Sequence, residues 1–314
     1  MSRVIAITGA AGYLAQHLME HFYQNLTDVD HFLGLDIRGG ITYNKFPATY
    51  IQMDILDLKA EVLEEHGVTD LIHMAWTVTP SHNRKKAYQV DIEGTKNVLT
   101  QAEHAGVKYF LHTSSTLAYG AYSNNPLPLT ENHPLRGNNN FHYSHHKMLV
   151  EQLLDDFEAN YGGSMHIGRI RPSAILSPDL KNYIAEILKG GWRTFYLMPY
   201  PNPKTPIQFL HVDDAIQAFT LMIEKRLQGA YNATPDLPVE VGDISNILEG
   251  RGVHLPHRLL KVLLWFQWRL RLSQAPPSYL DFVFYSFIAS NEKLSKEGFR
   301  PKYSTKECIT FFKK

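Results

Sequence analysis

Tyr143 and Lys147 stand four residues apart in FHYSHHK, downstream of a glycine-rich TGAAGYLA near the amino terminus. If the stretch is helical, one turn separates them and the ammonium shares a face with the phenol. A nearby positive charge favours phenolate and lowers a pKa that starts near 10. The pair therefore suits proton transfer beside a dinucleotide. The same spacing also arises where an aromatic and an aliphatic-stemmed residue line a half-buried helix, so the pair alone does not decide.

The glycine-rich segment supplies the context. Thr8-Gly9-Ala10-Ala11-Gly12-Tyr13-Leu14-Ala15 follows the strand-like RVIAIT and runs into a helical pattern. Gly9 permits a tight turn, Gly12 lets the backbone approach a pyrophosphate, and Tyr13 and Leu14 open a helix whose amino terminus favours anions. Ala15 is the small residue that close strand–helix packing needs. Asp36 ends the second strand-like run, placed to bind ribose hydroxyls. A carboxylate there repels a 2′-phosphate, which favours NAD over NADP, and Arg38 softens that preference. Each feature has an ordinary alternative, a plain turn or a solvated carboxylate. Their order makes a dinucleotide fold the better reading.

The elements that must position these residues follow from periodicity. Apolar, β-branched runs near 4–8, 32–36, 49–54, 71–75, 109–114 and 166–171 alternate with helical patterns, the clearest after Gly12, at 84–104 and at 141–160. The expected fold class is α/β: a doubly wound parallel sheet of the Rossmann type with a smaller carboxyl-terminal substrate lobe. Residues 1–171 are expected to form the dinucleotide-binding domain, with 205–225 returning to it, and 172–314 mainly the substrate lobe. SPDL and MPYPNPKTP read as loops and short elements over the cleft.

Composition narrows the partners. The 314 residues carry 31 Lys and Arg against 31 Asp and Glu, so no basic surface for nucleic acid is implied. The single cysteine, Cys308, forms no intramolecular disulfide framework and fits a reducing compartment. No charged and then apolar leader opens the chain and no apolar run is long enough for a membrane span, which makes a cytoplasmic protein the expectation. RLLKVLLWFQWRLRL, residues 258–272, reads as a helix packed in the substrate lobe, or alternatively as one lying on a bilayer with Trp265 and Trp268 at the interface.

Together these motifs resemble the extended short-chain dehydrogenase/reductase family, also described as NAD-dependent epimerase/dehydratase. The resemblance extends through DIL (54–56), HMAW (73–76), DIEGTKNVL (91–99), HTSSTLAYG (112–120), Tyr143 and Lys147, IRP (170–172), QFLHVDDAIQAF (208–219) and GAYNAT (229–234). It implies that Asp54 and Ile55 contact adenine, that Met74, Ala75 and Trp76 run beside the phosphates and ribose, and that Thr113 faces the nicotinamide. Asp91 and Pro172 are expected on the cofactor side as well. Ser115 falls at the position of the catalytic hydroxyl, with Ser114 the neighbour that fits less well. Tyr143 is then the general acid/base, and Lys147 binds the nicotinamide ribose and holds the tyrosine pKa down. A homodimer is implied by resemblance alone.

Departures from the family pattern restrict the chemistry. Asp91 stands where Asn is usual, which is expected to alter a cofactor-side hydrogen bond. Thr116 and Leu117 replace the Asp-Glu pair of sugar-nucleotide dehydratases, arguing against that elimination. Arg171-Pro172-Ser173-Ala174 lacks the substrate-facing asparagine of sugar-nucleotide epimerases and looks more like members acting on bulky carbon skeletons, in keeping with Trp265, Phe266, Trp268, Tyr279, Phe282 and Phe284. His142, His145 and His146 cluster without a carboxylate or cysteine in metal-like spacing, so no metal is expected. His73 and His112 read as satisfied core residues and His211 as a cap. Three functions stay open: a dehydrogenase/reductase acting on a small-molecule substrate, a nucleotide-sugar epimerase with tightly held NAD, and a dinucleotide sensor without turnover.

Overall fold

Strands that are apolar on both faces need cover on both sides, and a parallel sheet wound with helices provides it. The computed structural model describes residues 3–39, 46–80, 82–161, 163–179, 184, 188, 195–200, 203–272 and 276–312. Its main sheet is built from β1 (Arg3–Thr8), β2 (Val29–Asp36), β3 (Ala48–Gln52), β4 (Asp70–His73), β5 (Tyr109–Thr113), β6 (His166–Pro172) and the strand Gly229–Ala233. Their order is Gly229–Ala233, β6, β5, β4, β1, β2, β3, with every neighbouring pair parallel. The winding reverses between β1 and β4. Such a switch point opens a crevice at the carboxyl ends of the strands, where ligands of this architecture bind.

Side-chain alternation along β1 divides the core. Ile5 and Ile7 face α1 (Tyr13–Asn25) through Leu18 and Phe22, together with Ala215, Phe219 and Met222 of the helix Val212–Glu224. Ala6 faces the other way, toward Leu63 of α2 (Ala60–Glu65), Val98 and Leu99 of α4 (Thr95–His104), and Val150 and Leu154 of α5 (His142–Tyr161). All of these side chains are essentially solvent-free. Period-two strands feeding period-3.6 helices thus produce the two layers.

Several boundaries differ from those read in the sequence. The strand expected over 49–54 stops at Gln52, that over 71–75 at His73, and that over 109–114 at Thr113. The helix expected over 84–104 is divided into α3 (Arg84–Tyr88), a π-helical turn Gln89–Gly94, and α4. That turn lies against Ile55, because a Cβ on Gly94 would come 2.6 Å from the Ile55 Cδ1. Helix α2 is one of the helices expected between strands, though its bounds were not given, and the strand Gly229–Ala233 was not anticipated as an element.

A smaller lobe follows β6. Leu176, Phe209, Val241, Leu248 and Ile309 form its separate core. Phe195–Tyr200, which runs into the proline-rich stretch where loops and short elements were expected, is a short strand paired in parallel with Arg251–Pro256. Leu180, Pro201 and Asn202 of the two proline-rich segments lie outside the described residues. Among the described residues no helix is long and apolar enough to cross a membrane.

Candidate active site

Helix α5 carries Tyr143, Lys147 and Glu151 at successive four-residue steps, one above another on a single face. Lys147 is buried; its Nζ donates to the Thr113 carbonyl at 2.5 Å and lies 3.3 Å from the centre of the Trp76 ring. Burial lowers its pKa to about 7, against the pull of the Asp91 and Glu151 carboxylates. The hydrogen bond and the indole face stabilise an ammonium removed from water. Tyr143 is half-buried, with its ring edge-on to Trp76 at 6.2 Å and 5.7 Å from the Lys147 Nζ.

Two adjacent serines leave β5 in different surroundings. Ser114 donates to Glu151 Oε1 at 2.5 Å, and Glu151 also receives Arg171 through Nε at 2.7 Å and Nη2 at 2.5 Å. Burial opposes ionisation of Glu151, but the paired guanidinium holds its carboxyl below the usual range. Ser115 caps the short turn Thr116–Tyr119 by accepting from the Leu117 N–H at 3.2 Å, and its hydroxyl reaches the Pro172 carbonyl only at 3.4 Å. Glu151 was not singled out in the sequence. Its place one helical turn beyond Lys147 was the available signal.

The glycine turn meets the same end of the sheet. Gly9 adopts φ +72°, and a Cβ there would lie 2.8 Å from the Ala75 nitrogen. Both the backbone angle and the close approach of β4's continuation therefore require glycine. Helix α1 starts with no side-chain cap on Gly12 and no acidic residue in its first turn. Its first N–H groups and dipole are thus available to an anion. The Asp36 carboxylate accepts from the Ala11 N–H at 3.0 Å and from Arg38 through Nε and Nη2, each at 3.1 Å. Burial works against its charge, yet these donors keep its pKa below the usual value. The Thr113 hydroxyl and the Trp76 indole N–H are buried nearby with no hydrogen-bond partner. An uncapped helix start, a strand-end acid and two unspent polar groups fit a dinucleotide.

A directed hydrogen-bond chain runs beneath the site. Thr8 Oγ1 accepts from the Met74 and Ala75 N–H groups, so its own proton goes to His73 Nδ1 at 2.8 Å. His73 Nε2–H then donates to Thr95 Oγ1 at 2.8 Å, and Thr95 donates to the Asp91 carbonyl at 2.6 Å. Burial lowers the His73 pKa to about 3, so this ring stays neutral. The Asp91 carboxylate accepts from Thr77 N–H and from His146 Nδ1, both at 2.8 Å. The glycine turn and α5 are thereby tied through one π-helical turn.

Other expected site residues are engaged within the protein. Asp54 turns back to cap Ile55–Asp57, accepting from Leu56 N–H at 3.0 Å, and Ile55 is buried beneath Gly94. The Tyr13 hydroxyl meets Ser177 Oγ at 2.8 Å, while Leu14, in the first turn of α1, packs against the core. Asp91 has both oxygens bonded within the protein and no exposed surface. His112 is a correction: it is buried, but neither ring nitrogen has a partner. His211 caps its helix through the Asp213 N–H, as expected. Among the described residues no group of three His, Cys, Asp or Glu is placed to hold a metal ion.

Comparison with known proteins agrees with this geometry. The NAD dependent epimerase/dehydratase family model matches residues 5–234. A UDP-glucose 4-epimerase from Erwinia amylovora is 30% identical over 164 residues, covering 49% of this chain and 48% of that enzyme, about half its length. The human sterol-4-alpha-carboxylate 3-dehydrogenase, decarboxylating, is 26% identical over 80% of this chain and 67% of that enzyme. The crystal structure of the Thermus thermophilus UDP-glucose 4-epimerase complex with NAD has a TM-score of 0.71 at 19% identity, covering 98% of this chain and 97% of that one, a likeness of fold. With the family pattern spanning the sheet, the glycine turn and α5, this chain belongs to the NAD dependent epimerase/dehydratase family.

Proposed function

We propose that the protein is an NAD-dependent oxidoreductase acting at a carbinol or carbonyl carbon of a bulky, apolar substrate, with Ser115, Tyr143 and Lys147 as its catalytic residues. Hydride exchange is the chemistry the dinucleotide supplies when bound. Gly9, Gly12, Asp36, Thr113 and Trp76 would hold it. Tyr143 moves the proton of the reacting hydroxyl, and Lys147 stabilises the phenolate. Ser115 donates to the same substrate oxygen. This choice over Ser114 is supported by hydrogen bonding, since the Ser114 proton is spent on Glu151 whereas Ser115, which accepts from Leu117 N–H, donates only through one long contact to the Pro172 carbonyl.

The observation that carries the substrate class is the wall beside Tyr143. Phe141, Phe282 and Ala121 form a buried cluster onto which Tyr143, Leu117, Tyr279 and Phe287 pack, with Phe141 4.9 Å from Tyr279 and 5.5 Å from Phe282 between ring centres. The partly buried Leu117, Tyr143, Tyr279 and Phe287, backed by the buried rings, offer contact area to a hydrocarbon skeleton and few partners to sugar hydroxyls. The proposed lobe, mainly residues 172–314 with 205–225 returning to the dinucleotide domain, supplies Tyr279 and Phe282. A homodimer belongs to the same proposal on family resemblance, and a cytoplasmic setting on the single, buried Cys308.

A nucleotide-sugar epimerase is the second reading, favoured by the likeness to the Erwinia amylovora enzyme. Purified protein assayed with 3-hydroxysteroids and with UDP-glucose separates the two. Stoichiometric NADH formation at 340 nm with the steroid supports the proposal. UDP-sugar interconversion on NAD that stays bound, without net absorbance change, would overturn it in favour of the epimerase.

A further inference from the structure

The helix His257–Arg269 docks by one stripe and leaves another uncovered. Leu260, Leu264 and Trp268 recur at four-residue steps; Leu260 is buried and the other two are partly so. Trp268 stacks on His82 with ring centres 3.8 Å apart, at the edge of a small cavity shared with Phe141 and His142. On the outward side, Leu259, Val262, Leu263 and Phe266, with Leu270 just beyond the helix, are all exposed, Phe266 by 52%. At 3.6 residues per turn these five occupy a sector of roughly 100°. An exposed apolar stripe this continuous is not an ordinary solvent face.

Its charge selects the occupant. Arg251, Arg258, Lys261, Arg269 and Arg271 are all exposed, and residues 250–280 contain no Asp or Glu although the chain as a whole balances. Arg258, Lys261 and Arg269 flank one side of the apolar stripe, with exposed Trp265 among them. A second copy meeting this face about a two-fold axis would set these cations against their own counterparts, with no carboxylate of the segment between them. An anionic lipid surface offers the opposite: acyl chains to the stripe, headgroup charge to the cations and an interfacial level for the indole.

We propose that His257–Arg269 is an interfacial helix by which the protein docks on anionic phospholipid membranes. The contact lies on the outer face of the helix whose inner face borders the start of α5. It does not depend on which reaction the site performs.

Flotation of the full chain with vesicles of phosphatidylcholine alone, or with phosphatidylserine added, tests it. The expected result is at least tenfold tighter association with the anionic vesicles, weakened by salt. Leu263→Asp with Phe266→Asp, and separately Lys261→Glu with Arg269→Glu, should each lower it at least tenfold while NAD binding is kept. Equal binding to both vesicle types, no binding to either, or binding unmoved by both variants would overturn the proposal. A wild-type dimer that Phe266→Asp converts to monomer, with no vesicle association, would make a second copy the occupant instead.

Discussion

Glu151 shows how a residue that touches no reacting atom can support the site. It accepts from Ser114 and from both forks of Arg171 at complete burial, while adding negative potential beside Lys147. Its folded pKa lies below the ordinary 4.5. Stability from this group is therefore present above the unfolded value and is lost as pH falls through the lower folded one. Glu151→Gln leaves the Arg171 guanidinium buried without its counter-charge and should cost roughly 3 kcal/mol in urea unfolding at neutral pH. The variant should also lack this acid-side loss. Wild-type stability and an unchanged acid profile would show that the pair contributes nothing. Tyr143, Lys147, Gly9, Gly12 and Asp36 were legible because each obeys a short, local spacing. Glu151 was not, because its partners Ser114 and Arg171 arrive from different strands, and only the folded sheet brings them together. His112 was misread for a similar reason: a buried strand position predicts neutrality but not the hydroxyl neighbours that satisfy a ring.

At the scale of elements, the junction of β1 with α1 is held by the least tolerant contact in the site. Gly9 combines a positive φ with backbone atoms of Met74 and Ala75 inside 3 Å of where a Cβ would stand. Gly9→Ala should destabilise the fold by about 2 kcal/mol or more and weaken NAD binding in calorimetric titration. Undiminished affinity would mean that the turn does not form the cradle. The β/α alternation of the first half was readable since β-branched runs and helical periods are local signals. The π-helical turn was not, because one inserted residue barely disturbs the apolar period while redirecting Asp91 toward Thr77 and His146. The pairing of Phe195–Tyr200 with Arg251–Pro256 escaped too, since parallel partners so distant in sequence share no turn to announce them.

Across the whole molecule, the winding of the sheet brings Thr8, Asp36, His73 and Thr113 to one end, where α5 lays Tyr143 and Lys147 across it. The later lobe adds the aromatic wall to a site whose polar groups come from the sheet domain. Tyr143 is proposed to carry the proton in a site otherwise organised for NAD. Wild type and Tyr143→Phe should therefore be compared for NAD affinity and for turnover of one accepted substrate. Equal NAD affinity is expected, with turnover reduced by roughly 10²–10⁴-fold. Turnover within a few-fold of wild type, with NAD bound equally well, would contradict it.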